Sequence, residues 1–212
     1  MKGILFDLDG TLLDTLDDLT AAVNVALEAF GWPRRTRREV REFVGHGVRK
    51  LMERAAPKGI SPARFEACLE TMRTYYAAHS AVATAPYPGI PELLAALKAR
   101  GTPMALVSNK PDGPVARLAE GYFPGIFTVT VGDSPAWERK PAPDMPCRAL
   151  ELLGLERDRA VYVGDSEVDI LTARNAGLPV IAVSWGFRDR ELLESLGPDW
   201  LIDTPAQLLE LV

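Results

Sequence analysis

Short apolar runs alternate with helical stretches over the second half of the chain, and this alternation predicts most of its secondary structure. The runs are rich in β-branched residues and carry almost no charge, as expected for strands buried on both faces of a parallel sheet. They lie at residues 103–107, 127–131, 160–163 and 179–183. Further runs at residues 2–6 and 200–202 complete the expected strands. The pattern predicts an α/β fold built on a doubly wound parallel sheet.

About ninety residues separate the first predicted strand from the second, far more than the usual single helix between parallel strands. Within them the apolar residues recur at helical spacing, without β-type alternation. The helical stretches cover residues 16–30, 37–44, 48–56 and 62–83. We therefore predict an α/β core domain from residues 1–14 and 81–212, and an inserted α-helical cap domain from residues 15–80. Turn-forming residues at Asp14–Thr15 and Pro86–Gly89 would form the hinges between them.

Two aspartates, Asp7 and Asp9, close the first apolar run, and Gly10 and Thr11 follow them directly. Residues two apart project from the same face of a strand, so both carboxylates would lie together where the strand ends. Two like charges this close are unfavourable unless a cation or a shared proton relieves them, which indicates a divalent-metal site or an acid/base pair. An acidic turn after a buried strand is the alternative, because Asp and Gly are common turn residues.

Polar residues also lie next to other predicted strands, at the sheet edge where open parallel sheets bind ligands. Ser108 and Asn109 end the second strand, Asp165 and Asp169 follow the fourth, and Lys140 precedes the fourth. Each has a structural alternative. Ser108 could cap a helix, the two aspartates could form the acidic first turn of a helix, and Lys140 could lie on the surface. Their joint occurrence at successive strand ends favours a functional site.

Together these segments resemble the haloacid dehalogenase-like superfamily, whose four motifs occur here in order over nearly the whole chain. With residues 184–187, they are most similar to the phosphoglycolate phosphatase family. The segments that carry the resemblance are residues 7–15, 108–111, 140–143 and 164–169. The resemblance implies a Rossmann-like core that hydrolyses phosphomonoesters through an aspartyl-phosphate, with Mg²⁺ as cofactor.

The resemblance also implies a role for each residue of these segments. Asp7 would be the nucleophile and Asp9 the general acid and base, while Lys140 would offset the negative charge so that Asp7 stays ionised. Asp7, the backbone carbonyl of Asp9 and the carboxylate of Asp165 would bind Mg²⁺, and Asp169 would orient that site. The residues expected to hold the phosphoryl oxygens are Gly10, Thr11, Ser108, Asn109 and Lys140.

The segment that contains Gly45, His46 and Gly47, with Arg49 after it, is the expected substrate-selecting part of the cap. It resembles the cap segment of the family, and a glycine-rich helix start binds anions through its N–H groups. Such a site would suit the carboxylate of a small acid such as 2-phosphoglycolate. The alternatives are an ordinary interhelical loop for His46 and a solvated helix face for Arg49.

Several other functions would use the same core residues as a 2-phosphoglycolate phosphatase. Within the superfamily these are a pyrophosphatase, a sugar-phosphate or nucleotide phosphatase, and a phosphosugar mutase. A phosphoreceiver signalling module is the alternative of a different class, since it also uses a strand-end aspartate, a hydroxyl residue, a lysine and Mg²⁺. Such a module would need no long helical insertion after its first strand.

Composition and charge bound the partners of the protein. The 212 residues include 24 basic and 29 acidic ones, and the net charge of −5 predicts binding to neither nucleic acid nor membrane. The first residues lack the apolar stretch of an export signal, and two cysteines predict no disulfide framework, so we expect a cytoplasmic protein. The expected partner is a small phosphorylated metabolite, and the chain would be a monomer or a homodimer.

Overall fold

Eight strands make up two sheets in the structure, a computed structural model that describes residues 3–212. In chain order they are β1 (Gly3–Phe6), β2 (Leu13–Asp14), β3 (Ala85–Pro86), β4 (Met104–Pro111), β5 (Val129–Asp133), β6 (Ala160–Gly164), β7 (Val180–Val183) and β8 (Trp200–Ile202). Strands β2 and β3 form a small two-stranded sheet, and the other six form the main sheet.

Ten α-helices accompany these strands in the described residues. In chain order they are α1 (Leu16–Ala29), α2 (Arg37–Phe43), α3 (Gly47–Ala55), α4 (Pro62–His79), α5 (Ile90–Ala99), α6 (Asp112–Tyr122), α7 (Asp144–Leu153), α8 (Glu167–Ala176), α9 (Arg190–Ser195) and α10 (Pro205–Leu211). None of them is both long and apolar enough to cross a membrane.

The main sheet is fully parallel and has the strand order β5-β4-β1-β6-β7-β8. The chain builds outward from β1 through β4 to β5, and then returns to the other side of β1 to form β6. The strand order therefore reverses at β1, and ligand sites of such sheets lie at the carboxyl ends of the strands next to this reversal. The predicted doubly wound α/β fold is confirmed, and the end of β1 is where a site is expected.

Alternate side chains of the main sheet pack into two separate apolar layers. Ile4 and Phe6 belong to the layer formed with α5, α6 and α10, while Leu5 belongs to the layer formed with α7 and α8. Because helices cover both faces, the strands need apolar residues at every position, which explains the continuous apolar runs. This burial fixes the register of β1, so the residues that follow Phe6 are placed on a rigid support.

Strand β4 is longer than its apolar run predicts. Its pairing with β5 continues to Pro111, which lies opposite Asp133 after a shift in register. Ser108 and Asn109 are therefore buried inside the strand instead of ending it. Ser108 is not a helix cap, since α6 begins only after Pro111.

Residues 15–85 form one compact unit of the chain, and residues 3–14 with 86–212 form the other. The second boundary falls after Ala85 instead of after residue 80, because the linker that follows α4 is bound back to α1. The buried carboxylate of Asp18 in α1 accepts hydrogen bonds from the backbone N–H groups of Val82, Ala83 and Thr84 at 2.9–3.0 Å. These bonds hold residues 82–84 within the helical unit.

The helical unit contains α1 to α4, with α1 and α4 packed along each other. The starts of two helices follow from local sequence: Thr36 and Glu39 form a capping box at α2, and Ser61 caps α4 with Pro62 in its first turn. The side chain of Asn24 binds the backbone of Arg35 at both its N–H (2.7 Å) and its carbonyl (2.9 Å). This pair of bonds fixes the chain between α1 and α2.

Candidate active site

The carboxylate of Asp7 lies directly after β1 and is held by Lys140. Asp7 Oδ1 accepts a hydrogen bond from Lys140 Nζ at 2.6 Å, and both side chains are buried. Asp7 Oδ2 accepts no hydrogen bond from the described residues. One oxygen of this carboxylate is therefore fixed by a cation while the other keeps its lone pairs for chemistry.

Asp165 follows β6, the neighbour of β1 in the sheet, and is held by hydrogen bonds at both oxygens. Thr11 Oγ1 donates to Oδ1 at 3.1 Å, and the backbone N–H of Phe187 donates to Oδ2 at 2.7 Å. Gly10 has φ of +95°, and a Cβ there would lie 2.4 Å from Asp165 Oδ2. The chain at Gly10 therefore packs directly against this carboxylate, and in this structure the hydroxyl of Thr11 orients Asp165.

Asp169 lies in the first turn of α8, where it has two roles. Its Oδ2 accepts from the hydroxyl of Ser166 at 2.5 Å and from the Ser166 N–H at 3.2 Å, which completes a capping box. Its Oδ1 accepts from Lys140 Nζ at 2.8 Å. The same carboxylate therefore starts a helix and binds Lys140, so the helix-start reading of this segment holds without excluding a functional one.

Lys140 is fixed at its backbone as well as at its ammonium group. The side chain of Asn109 accepts from the Lys140 N–H at 2.9 Å and donates to the Lys140 carbonyl at 3.1 Å. The Lys140–Pro141 peptide bond is cis. Asn109 was expected among the phosphate-binding residues, and its amide side chain here binds the backbone of the lysine.

Asp9 is partly exposed and pairs with a second lysine. Its Oδ1 lies 3.1 Å from Nζ of Lys110, whose side chain is buried. The backbone N–H of Lys110 donates to the hydroxyl oxygen of Ser108 at 3.2 Å. β4 therefore brings a hydroxyl group and a cation into the neighbourhood of the strand-end aspartates.

The three buried acids Asp7, Asp165 and Asp169 outweigh the charge of Lys140, which bonds to two of them. Burial raises the pKa of Asp7 well above its ordinary value, and Lys140 offsets this only in part because Asp169 and Asp165 add repulsion. Burial and the charge of Asp169 also raise the pKa of Asp165 to about 7. Burial opposes the charged form of Lys140, but the charges of Asp169 and Asp7 overcome it and raise the pKa of Lys140. Lys140 offsets the negative charge as expected, but only part of it.

This shortage of positive charge fits a divalent cation. One carboxylate oxygen from each of Asp7, Asp165 and Asp169 lies within 4.8 Å of the others, and all three residues are buried. Mg²⁺ prefers oxygen ligands, and a bound cation favours the ionised form of nearby carboxylates. The donor set at the end of β1 is suited to that ion.

The predicted substrate-selecting residues lie in the helical unit. Gly45 and Gly47 have φ of +122° and +80°, which favours glycine, and His46 between them is the N-terminal cap residue of α3. Arg49 forms a two-bond ion pair with Glu66, at 2.8 and 2.7 Å. The guanidinium group of Arg49 is thus held by its own unit.

Three contacts of the site involve residues to which the sequence assigned no role in it. Tyr162 Oη lies 3.0 Å from Lys140 Nζ, the Phe187 N–H binds Asp165, and Arg188 forms a two-bond ion pair with Glu167 at 2.6 and 3.0 Å. Tyr162 looks like any aromatic residue of a buried strand. Phe187 binds Asp165 through its backbone N–H, and a backbone contact cannot be predicted from the type of side chain.

Buried acids and a lysine lie together at the switch point of a parallel sheet in an α/β core, and this arrangement is typical of an enzyme. Comparison with known proteins identifies its family. A family model described as haloacid dehalogenase-like hydrolase matches residues 4–183. The chain belongs to this family and is a phosphatase within it, which confirms the resemblance seen in the motifs.

Curated relatives match the chain over nearly its whole length. A protein of Aquifex aeolicus named phosphoglycolate phosphatase is 34% identical over 213 residues, covering 100% of this chain and 97% of the relative. One of Rhodospirillum rubrum with the same name is 39% identical, covering 98% and 89%. A crystal structure of a protein from Lactobacillus delbrueckii subsp. bulgaricus has a TM-score of 0.93 at 38% identity, covering 98% of this chain and 97% of that one.

Proposed function

We propose that this phosphatase is a Mg²⁺-dependent phosphomonoester hydrolase that acts through an aspartyl-phosphate on Asp7, with 2-phosphoglycolate as its preferred substrate. The single observation that supports this most is the position of Asp7. It is buried at the switch point of the sheet, with Oδ1 on Lys140 at 2.6 Å and with two further carboxylates within 4.8 Å. A carboxylate held in this way is suited to nucleophilic attack on an electrophile that carries negative charge.

In the first step Asp7 would attack the phosphorus atom of the substrate. Its carboxylate oxygen forms the new bond to phosphorus while the bond from phosphorus to the ester oxygen breaks. Oδ2 is the oxygen suited to this attack, because Oδ1 is bound to Lys140. Asp9 would give its proton to the leaving alcohol oxygen, and its partial exposure leaves it accessible to a substrate.

In the second step a water molecule would attack the same phosphorus atom. Asp9, now ionised, takes the proton of that water, the bond to Asp7 breaks, and inorganic phosphate leaves. Asp7 is restored as a carboxylate and Asp9 as an acid, so each turnover consumes one water molecule and no other reactant. Splitting the hydrolysis in this way replaces one difficult step with two easier ones.

The cation would be held by the carboxylates of Asp7 and Asp165 and by the backbone carbonyl of Asp9, with Asp169 orienting the site. When bound, Mg²⁺ supplies positive charge to the phosphoryl oxygens and to the acids around it. Thr11 and the Phe187 N–H hold Asp165 in place for this task.

The phosphoryl oxygens would be held by groups of the strand ends. Ser108 offers a buried hydroxyl, Lys140 offers its positive charge, and the backbone near Gly10 and Asn109 offers N–H donors. Such fixed donors stabilise the charge that the transition state spreads over these oxygens. Since they recognise only the phosphoryl group, they do not select between esters.

Selection between esters would belong to the helical unit, which we propose as the cap domain. Two features support 2-phosphoglycolate: the names of the curated relatives, and the Gly45–Gly47 turn at the start of α3. Backbone N–H groups at a helix start can bind a carboxylate. A small acid is therefore a better fit to this feature than a neutral sugar.

A panel of phosphate compounds tests the proposal, with and without Mg²⁺. It contains 2-phosphoglycolate, glucose 6-phosphate, a nucleoside monophosphate and pyrophosphate, and phosphate release is measured for each. We expect turnover only with Mg²⁺ and the highest kcat/KM for 2-phosphoglycolate. A higher kcat/KM for another compound would reject the substrate, and a stable phosphoprotein with no repeated release would reject the hydrolase mechanism.

A further inference from the structure

The hydroxyl group of Tyr162 is buried in the middle of β6, next to the ammonium group of Lys140. Tyr162 is fully buried and belongs to an apolar layer of the core, where its neighbours include Leu5 and Ala105. A phenol oxygen in such surroundings costs free energy unless it is hydrogen-bonded. Phenylalanine would fill the same space without that cost, so the oxygen needs an explanation of its own.

Four oxygen atoms surround Lys140 Nζ, but an ammonium group has only three N–H donors. The distances from Nζ are 2.6 Å to Asp7 Oδ1, 2.8 Å to Asp169 Oδ1, 3.0 Å to Tyr162 Oη and 3.2 Å to the carbonyl oxygen of Val107. The two carboxylates take the shortest bonds. One donor remains for Tyr162 and the Val107 carbonyl together.

There is thus one acceptor more than Lys140 has donors. The hydroxyl group of Tyr162 can satisfy it, because a hydroxyl both accepts and donates a hydrogen bond. Its oxygen can take the third N–H of Lys140, and its own proton can go to the Val107 carbonyl at 3.4 Å or to Asp169 Oδ1 at 3.3 Å. When the proton goes to the Val107 carbonyl, each of the four oxygen atoms around Nζ has a hydrogen-bond partner. The third donor of the lysine is fixed on a rigid ring instead of on a more distant carbonyl.

We propose that Tyr162 is a positioning residue that holds the ammonium group of Lys140 between Asp7 and Asp169. The proposal rests on the proposed function, in which Lys140 serves phosphoryl transfer at Asp7. A lysine has a flexible four-carbon stem, so its two ends must be fixed separately. Asn109 fixes the backbone end through two hydrogen bonds, and Tyr162 fixes the ammonium end.

Loss of the Tyr162 hydroxyl group would leave the third N–H to the Val107 carbonyl alone. Nζ would then be drawn toward β4 and away from its 2.6 Å bond to Asp7. Phosphoryl transfer depends on the position of charged groups to fractions of an ångström, while substrate binding in the ground state depends on it less. The effect should therefore appear in kcat more than in KM.

The substitution Tyr162→Phe tests this, with Tyr75→Phe as the control. Tyr75 lies in α4, where its ring stacks on His79 with centroids 4.0 Å apart, and the control likewise removes one hydroxyl group. We expect Tyr162→Phe to lower kcat about tenfold, with KM changed less than about twofold and the melting temperature nearly unchanged. Tyr75→Phe should leave kcat as in the wild type.

A second readout does not depend on turnover. The ammonium resonance of Lys140 in ¹⁵N-lysine NMR is identified by its loss in Lys140→Arg, and its order parameter reports how firmly Nζ is held. We expect the order parameter to fall in Tyr162→Phe and to stay unchanged in Tyr75→Phe.

The outcomes separate this proposal from the proposed function. If the wild-type enzyme is active, and Tyr162→Phe keeps both its kcat and its Lys140 order parameter, the positioning role is overturned. A loss of kcat with a raised KM and a lower melting temperature overturns it too, because Tyr162 would then be merely structural. A wild-type enzyme that hydrolyses no phosphate ester rejects the proposed function, and the order parameter alone then decides whether Tyr162 holds Lys140.

Discussion

Buried aspartates occur in both units of this protein, but their surroundings are opposite. In the helical unit the carboxylate of Asp18 accepts hydrogen bonds from four donors. These are the N–H groups of residues 82–84 and the hydroxyl of Thr84, which lies at 2.7 Å. In the α/β core Asp7, Asp165 and Asp169 crowd together within 4.8 Å, and one lysine bonds to two of them. Burial of a carboxylate is thus no sign of chemistry by itself. The balance of acids and donors distinguishes a structural site from a reactive one.

The largest effect is expected at the reactive site, from Asp7→Asn. The amide keeps the shape of the side chain but is a far poorer nucleophile, so turnover should fall about a thousandfold or more. The metal-free variant should melt no lower than the wild type at pH 8, because one of three crowded carboxylates has been neutralised. Steady-state phosphate release measures the turnover, and calorimetry measures the melting temperature. Turnover within about tenfold of the wild type would contradict the nucleophile assignment.

A smaller effect on the same site is expected from Gly186→Ala, in the segment after β7. A Cβ there would lie 2.3 Å from the Gly10 carbonyl oxygen and 2.4 Å from Asp165 Cβ, so the segment must move. The Phe187 hydrogen bond to Asp165 would then be strained, and we expect kcat to fall about tenfold to a hundredfold and Mg²⁺ to bind less tightly. Kinetics and titration calorimetry test this.

Gly121→Ala is the control for that substitution. Gly121 lies in α6, and an added Cβ there would meet no atom within 4 Å beyond its chain neighbours and the backbone of its own helix. Alanine there should raise the free energy of unfolding by about 0.5–1 kcal/mol without a change in kcat. Equal kinetic losses in both variants would show that the close packing at Gly186 is not the cause.

The structural aspartate should show the reverse pattern in Asp18→Asn. An amide group turns one acceptor into a donor that faces other donors, so the free energy of unfolding should fall by about 2 kcal/mol. The folded variant should keep kcat within about twofold. Urea unfolding and initial rates measure the two quantities.

The neighbouring substitution Asp17→Asn serves as the control for Asp18→Asn. Asp17 is exposed and paired with Arg37 at 2.6 Å, and exposed ion pairs contribute less than about 1 kcal/mol. A tenfold loss of kcat in Asp18→Asn with unchanged stability would reverse the comparison, since it would make Asp18 part of the reactive site.

The smallest effect is a pH dependence of the metal-free protein. Folding raises the pKa of Asp165 from an ordinary 3.8 to about 7, so the folded state keeps a proton that the unfolded state releases in between. The stability contributed by this group is therefore full at low pH and is lost as pH rises through that window. Mg²⁺ competes with the proton, so the Mg²⁺-induced rise in melting temperature should grow from pH 6 to pH 8. A rise that is equal at every pH, or a pH dependence that is undiminished in Asp165→Asn, would argue against this coupling.

Most strands could be predicted because burial on both faces leaves a continuous apolar run. The runs at 160–163, 179–183 and 200–202 correspond closely to β6, β7 and β8. β4 could not be bounded in this way, because its last residues are polar and are held by pairing with β5 as far as Pro111. Helix α4 ends at His79 instead of residue 83, since Asp18 binds the residues that follow.

The sequence by itself determined which chemical groups stand at the ends of the strands: Asp7 after β1, Asp165 after β6, and Lys140 ahead of it. Local pattern suffices for this, because strand ends and helix starts depend on neighbouring residues. Only the tertiary structure decided how these groups act on one another. Asp7 and Lys140 are separated by 133 positions in the chain, and their 2.6 Å contact exists only through the strand order β4-β1-β6. Charge interactions depend on distance and burial, so the shortage of positive charge at Asp7 and the place of Tyr162 beside the lysine arise only when the sheet is assembled.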